Sequence, residues 1–154
     1  MKTRTILLTL ALCFVAIAVC YADNPNMGTW KLNESKSKFA PGAPKNTTVM
    51  YEAAGDSVKV TTDGTDAAGK PVHGEWTGKF DGKDYPLSGD PTADMRSYKK
   101  INEHTLELTN KMNGKVTATA RISVSGDGKV RTVTITRIDS AGKKTVSTAV
   151  YDKQ

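Results

Sequence analysis

Gly114-Lys115-Val116-Thr117-Ala118-Thr119-Ala120-Arg121-Ile122-Ser123-Val124-Ser125 is the stretch that decides the fold class. Its even positions from Val116 to Val124 are apolar, and its odd positions from Lys115 to Ser125 are polar. Successive side chains on a β-strand point to opposite faces, so this is one strand with a dry face and a wet face. A helix would scatter the same apolar set around its circumference. The pattern specifies antiparallel β structure and carries no catalytic motif.

The same reading extends in both directions. The apolar positions and turn residues predict strands at 28–33, 47–53, 57–65, 72–80, 85–87, 96–101, 105–110, 114–125, 130–138 and 145–151. A loop with Pro41, Gly42 and Pro44 separates the first two, with room for one helical turn at 34–38. Along 72–80 the set Val72, Gly74, Trp76, Gly78 and Phe80 shares a face, the glycines giving the Trp76 ring room or marking a bulge. Asp81-Gly82-Lys83 reads as a tight hairpin. Gly-Lys recurs at 69–70, 78–79, 82–83, 114–115, 128–129 and 142–143, where glycine supplies the positive φ of a short turn. Asp66-Ala67-Ala68-Gly69-Lys70 and Asp139-Ser140-Ala141-Gly142-Lys143 are versions of one turn, read as reuse of a good hairpin rather than an internal duplication.

Nine or ten short strands joined by short hairpins, with almost no helix signal, predict an all-β domain in which sequence neighbours are sheet neighbours. The expected architecture is a single up-and-down antiparallel barrel of about 8–10 strands, because closure removes exposed edges. A half-open curled sheet or a sandwich is the alternative.

Residues 1–22 read as a signal peptide. Lys2 and Arg4 precede an apolar run from Ile6 to Val19, and small residues at Cys20 and Ala22 place the cut before Asp23. The run is shorter than the roughly 20 apolar residues of a spanning helix, so no stable membrane insertion is expected after cleavage. Lipidation at Cys20 is the tethered alternative. The predicted location is therefore secreted or periplasmic. Removal leaves 132 of the 154 residues, one domain with both cysteines gone, and lowers the formal charge from +6 to +4. Lysines and acids are interspersed without a basic stripe and interleaved aromatics, which argues against nucleic-acid binding. Asn46-Thr47-Thr48 matches a glycosylation acceptor, relevant only in a eukaryotic secretory pathway.

Two stretches resemble the lipocalin and fatty-acid-binding-protein group of barrels. Gly28-Thr29-Trp30-Lys31-Leu32 is similar to the Gly-x-Trp entry to their first strand, and Ala149-Val150-Tyr151-Asp152-Lys153 to the closing strand of the fatty-acid-binding branch. The helix-turn-helix lid, the lipocalin disulfide and the Thr-Asp-Tyr motif have no counterparts. The resemblance implies a barrel that carries a small ligand, and an arginine, Arg121 or Arg137, packed over Trp30.

No chemistry-bearing cluster competes with that reading. His73 and His104 lack partners at metal-ligand spacing, the aspartates sit in turns, and there is neither a Gly-x-Ser-x-Gly elbow nor a cysteine nucleophile. No enzyme activity, cofactor or metal is expected. Small inward residues such as Gly74, Gly78, Ala118 and Ala120 either leave a pocket or let a narrow barrel close on itself. For a pocket, the candidate walls are Trp30, Trp76, Phe80, Tyr98 and Tyr151, with Arg121 or Arg137 to anchor a carboxylate. Two functions follow: a carrier of a small apolar ligand, or a module that presents loops 35–46 and 88–94 to a protein or glycan partner.

Overall fold

In the computed structural model, residues 24–154 are described, so the leader and its cut lie outside the described residues. Ten strands run β1 (Gly28–Leu32), β2 (Lys45–Ala54), β3 (Ser57–Thr65), β4 (Pro71–Gly78), β5 (Tyr85–Ser88), β6 (Met95–Asn102), β7 (Thr105–Met112), β8 (Lys115–Val124), β9 (Val130–Ile138) and β10 (Lys144–Lys153). Each pairs antiparallel with its sequence neighbours, and β1 also pairs with β10, with Trp30 opposite Lys153 and Leu32 opposite Tyr151. The result is a closed up-and-down barrel. The only helical element among the described residues is a 3-10 turn at Glu34–Lys36, capped by the Asn33 side chain.

The alternation that decided the fold holds from Ala118 onward: Ala118, Ala120, Ile122 and Val124 are buried. It fails at Val116, which is 39% exposed. Asn110 pairs with Ala118 while Lys111 pairs with Val116, so Thr117 is an extra residue. That bulge shifts the register, turns Thr117 toward the interior and leaves Val116 outside.

The repeated turn is repeated in space. Asp66 Oδ1 accepts from the amides of Ala68 (2.8 Å) and Lys70 (2.9 Å), and Asp139 Oδ1 accepts from Ala141 (2.9 Å) and Lys143 (2.9 Å). In each, glycine supplies the positive φ, +77° at Gly69 and +79° at Gly142.

Two turn assignments are corrected. Gly78 has no positive φ; a Cβ there would sit 2.6 Å from the Trp76 and Tyr85 rings, so its role is room for those aromatics. Asp81-Gly82-Lys83 is not a tight hairpin. Strand β5 is only four residues long, and residues 80–82 take its place along β6. Asp81 bridges to Lys99, the Gly82 amide donates to the Tyr98 carbonyl at 2.8 Å, and the Lys100 amide donates to the Phe80 carbonyl at 3.1 Å. Phe80 thereby leaves strand β4 and plugs the wall beside β5.

In an up-and-down barrel, alternate connections fall at opposite ends. Loop 33–44, the turns at 66–70 and 139–143, loop 89–94 and the β7–β8 turn share one end. The other end holds the β2–β3, β4–β5, β6–β7 and β8–β9 connections and the incoming segment from Asn24.

Candidate functional site

The barrel is filled at one end and hollow at the other. Bulky side chains close the first: Trp30, Tyr51, Val60, Trp76 and Leu106 are at most 1% exposed. Trp76 stands edge-on to Tyr98 at 4.7 Å and stacks on Phe80 at 6.4 Å, while its indole N–H donates to the Arg96 carbonyl at 2.9 Å. Trp30 donates to the Asn26 carbonyl at 2.9 Å, which ties the incoming chain under the floor.

Toward the mouth the inward positions shrink. Gly74, Ala118 and Ala120 stand where the lower half carries Trp76, Ile122 and Val124, and they line a cavity of about 480 Å³. This decides between the two readings of the small residues: they leave space. The volume lies within the range of small-molecule sites, roughly 300–1,000 Å³. Loop residues Ala40–Pro44 and Gly89–Thr92 and the two matching turns frame the mouth.

The walls are not uniformly apolar. Arg96, Arg131 and Arg137 all line the cavity. Arg131 is 3% exposed and its guanidinium lies between two rings, 5.1 Å from the Tyr51 centroid and 5.3 Å from that of Tyr151. One amino group donates to the Tyr51 hydroxyl at 2.7 Å, but Nε and Nη1 have no partner. Arg96 donates through Nε to Asn110 Oδ1 at 2.7 Å and lies 3.7 Å from Asp90 Oδ2. Burial opposes the Arg137 cation and pulls its pKa down, against the attraction of the Asp90 carboxylate. Burial also holds the Tyr51 hydroxyl well above the ordinary tyrosine range, with the Arg131 charge offsetting part of the rise. Burial raises the Tyr151 hydroxyl in the same way, so both tyrosines stay neutral.

Of the residues singled out from sequence, Tyr98, Arg137 and Tyr151 line the cavity. Trp30, Trp76 and Phe80 do not, because they belong to the filled end and the plug beside β5. Arg121 points outward and faces Glu107 across β7 and β8 at 3.8 Å. Neither arginine packs over Trp30; Lys153 does, at 5.0 Å. Arg96 and Arg131 were missed. Their signal was present in the parity of their strands, since Arg96 shares a face with Tyr98, and Arg131 shares one with Val133 and Ile135.

The glycosylation match also falls on the cavity: half-buried Asn46 lines it, and its backbone carbonyl accepts from the Tyr151 hydroxyl at 3.1 Å. His73 is on the outer wall, 2.6 Å from Asp63 directly across β3 and β4. No group of three or more His, Cys, Asp or Glu side chains with metal-binding placement occurs among the described residues.

Fold and site together define an all-β, ten-stranded closed barrel with a cavity open at one end. No protein-family model matches the chain, and no curated protein matches it. Among solved structures it is similar to a redesigned β-barrel, mFAP1, determined bound to DFHBI, with 17% identity, a TM-score of 0.47, and coverage of 86% of this chain and 98% of that one.

Proposed function

We propose that this protein binds, without transforming, a small molecule with an apolar body and an anionic group, held inside the barrel. The observation that carries the reading is Arg131. A guanidinium buried at 3% exposure with two unpartnered N–H-bearing nitrogens at a cavity wall is an anion site waiting for its acceptor. The apolar body follows from Val49, Leu108, Ile122, Val133 and Ile135, which line the same space. The resemblance of Gly28–Leu32 and residues 149–153 to strands of lipocalin and fatty-acid-binding barrels points the same way. A binding protein exported by the leader at 1–22 would act as a secreted or periplasmic carrier.

Native mass spectrometry of the protein purified without detergent tests this, before and after incubation with linear and cyclic carboxylates and their neutral alcohols. An adduct with carboxylates that the matching alcohols fail to form supports the reading. A bare mass throughout overturns it and shifts attention to loops 35–46 and 88–94, which flank the same mouth.

A further inference from the structure

The inward face of β9 reads Arg131, Val133, Ile135, Arg137, one cation at each end with two apolar residues between them. Arg137 does not stand alone. Across the sheet Arg96 pairs with Asn110, Asn110 with Ala118, and Ala118 with Arg137, so Arg96, Asn110 and Arg137 lie on one cross-strand row of the wall, the upper site. Six residues of strand separate Arg137 from Arg131, about 20 Å along the chain. The strand tilt of a barrel reduces this to about 15 Å of depth.

Charge is out of balance at both levels. Among the described residues Asp90 is the only acid close to the upper pair, 3.7 Å from Arg96, and it also serves its own loop by accepting from the Thr92 amide (2.8 Å) and hydroxyl (2.7 Å). Arg137 has no acid within ion-pair distance among the described residues, and Arg96 adds like-charge repulsion. The rim acids Asp66 and Asp139 are committed to the backbone amides of their turns, and Lys143 is exposed. The interior thus holds three guanidiniums against one carboxylate. Leaving two cations uncompensated in a largely apolar cavity is costly, and two ligand anions at the right spacing would relieve it.

We propose that the ligand is elongated and carries an anionic group at both ends, one seated at Arg131 and the other between Arg96 and Arg137. This rests on the binding function proposed above and names its ligand class. A single-headed acid satisfies Arg131 but leaves the upper pair as it is; a two-headed acid satisfies both levels and lays its apolar middle on Val133 and Ile135. Asp90 then sets the charge of the upper site to one net positive, matched to one carboxylate.

The test is a titration of the full protein with hexadecanedioate, its monomethyl ester and hexadecanoate, read by calorimetry. The expected result is that the diacid binds about tenfold or more tighter than either single-headed acid, the gain of one charge-assisted contact. In Arg137→Gln that advantage falls to about unity, because the diacid loses more affinity than hexadecanoate does. Equal affinities for the three ligands in the unaltered protein overturn the two-headed proposal and leave the anion-binding function standing. Loss of all three affinities in Arg137→Gln also overturns it, because the two ends would then not be separate sites. If none of the three binds the unaltered protein, both proposals fall.

Discussion

Lys153 Nζ lies 5.0 Å from the centroid of the Trp30 ring, joining the second-last residue of the chain to the first strand. The two are also opposite each other in the β1–β10 register, so the contact sits on the seam that closes the barrel. The Lys153 amide donates to the Lys129 carbonyl at 2.9 Å, and its ammonium reaches the Pro25 carbonyl at 3.3 Å, so the side chain spans floor and seam. Lys153→Met keeps the stem and removes the charge. It is expected to cost about 0.5–1 kcal/mol in urea unfolding. Trp30→Ala, which empties the most deeply buried ring, is expected to cost about 3–5 kcal/mol. Equal losses from the two would show that the cation, and not the ring, holds the seam.

Arg131 sets stability against binding. Breaking a buried charge out of its site destabilises when it strands a partner, yet replacing it with an apolar side chain of similar length can be neutral or favourable. Its hydrogen-bonded partner, the Tyr51 hydroxyl, retains Tyr98 at 3.4 Å. Arg131→Met is therefore expected to unfold at a temperature equal to or above that of the unaltered protein and to lose at least about tenfold in carboxylate affinity. A variant that unfolds several degrees lower with its affinity intact would make Arg131 a structural residue.

Gly78 and Gly142 test two different reasons for glycine. At Gly78 a Cβ would press at 2.6 Å on Trp76 and Tyr85, whose rings stand edge-on 5.8 Å apart. Gly78→Ala is expected to cost about 1–3 kcal/mol and to alter the near-ultraviolet circular dichroism of the aromatic cluster. At Gly142 nothing lies within 4 Å, and only the φ of +79° opposes a side chain. Gly142→Ala is expected to cost about 1 kcal/mol and to leave the aromatic spectrum unchanged.

Tyr51 and Tyr151 predict how the fold responds to alkali. Burial is the first cause of the upward displacement of both hydroxyl pKa values, opposed by Arg131 in each case. For a group whose folded value is raised, the stabilisation is complete below the unfolded value, about 10 for tyrosine. It is lost as pH rises through the folded value, because the unfolded chain releases the proton first. Stability should therefore be flat up to about pH 10 and fall above it, with the tyrosinate absorbance of these two residues appearing together with loss of the β-sheet circular dichroism. Tyrosinate formation by all tyrosines near pH 10 with the sheet intact would contradict the assignment.

The barrel was legible because its cause is local. Period-2 patterning in 114–125 and 130–138, and glycine-bearing turns such as 66–70 and 139–143, each act within one hairpin, and strung end to end they leave few arrangements other than a meander. Bounds of β3 and β9 match the pattern residue for residue. Where the reading failed, a second strand was involved. Val116 is displaced by a bulge whose partner is Asn110 on β7, and Phe80 is drawn out of β4 because β5 is too short to cover β6.

The site shows the same division. Parity along β6 and β9 already places Arg96 beside Tyr98 and Arg131 beside Val133 on one face, and parity along β8 places Arg121 on the polar face, but parity does not say which inward side chains converge. Nor does it say at what depth a side chain sits. Sequence alone determined that this chain is an antiparallel meander with small inward residues on β4 and β8. The tertiary structure decided that Trp30 and Trp76 fill one end and that the small residues gather at the other. It also decided that three arginines from two strands share the resulting space. Alternation is a property of one strand, whereas depth and convergence depend on the register and stagger of all ten.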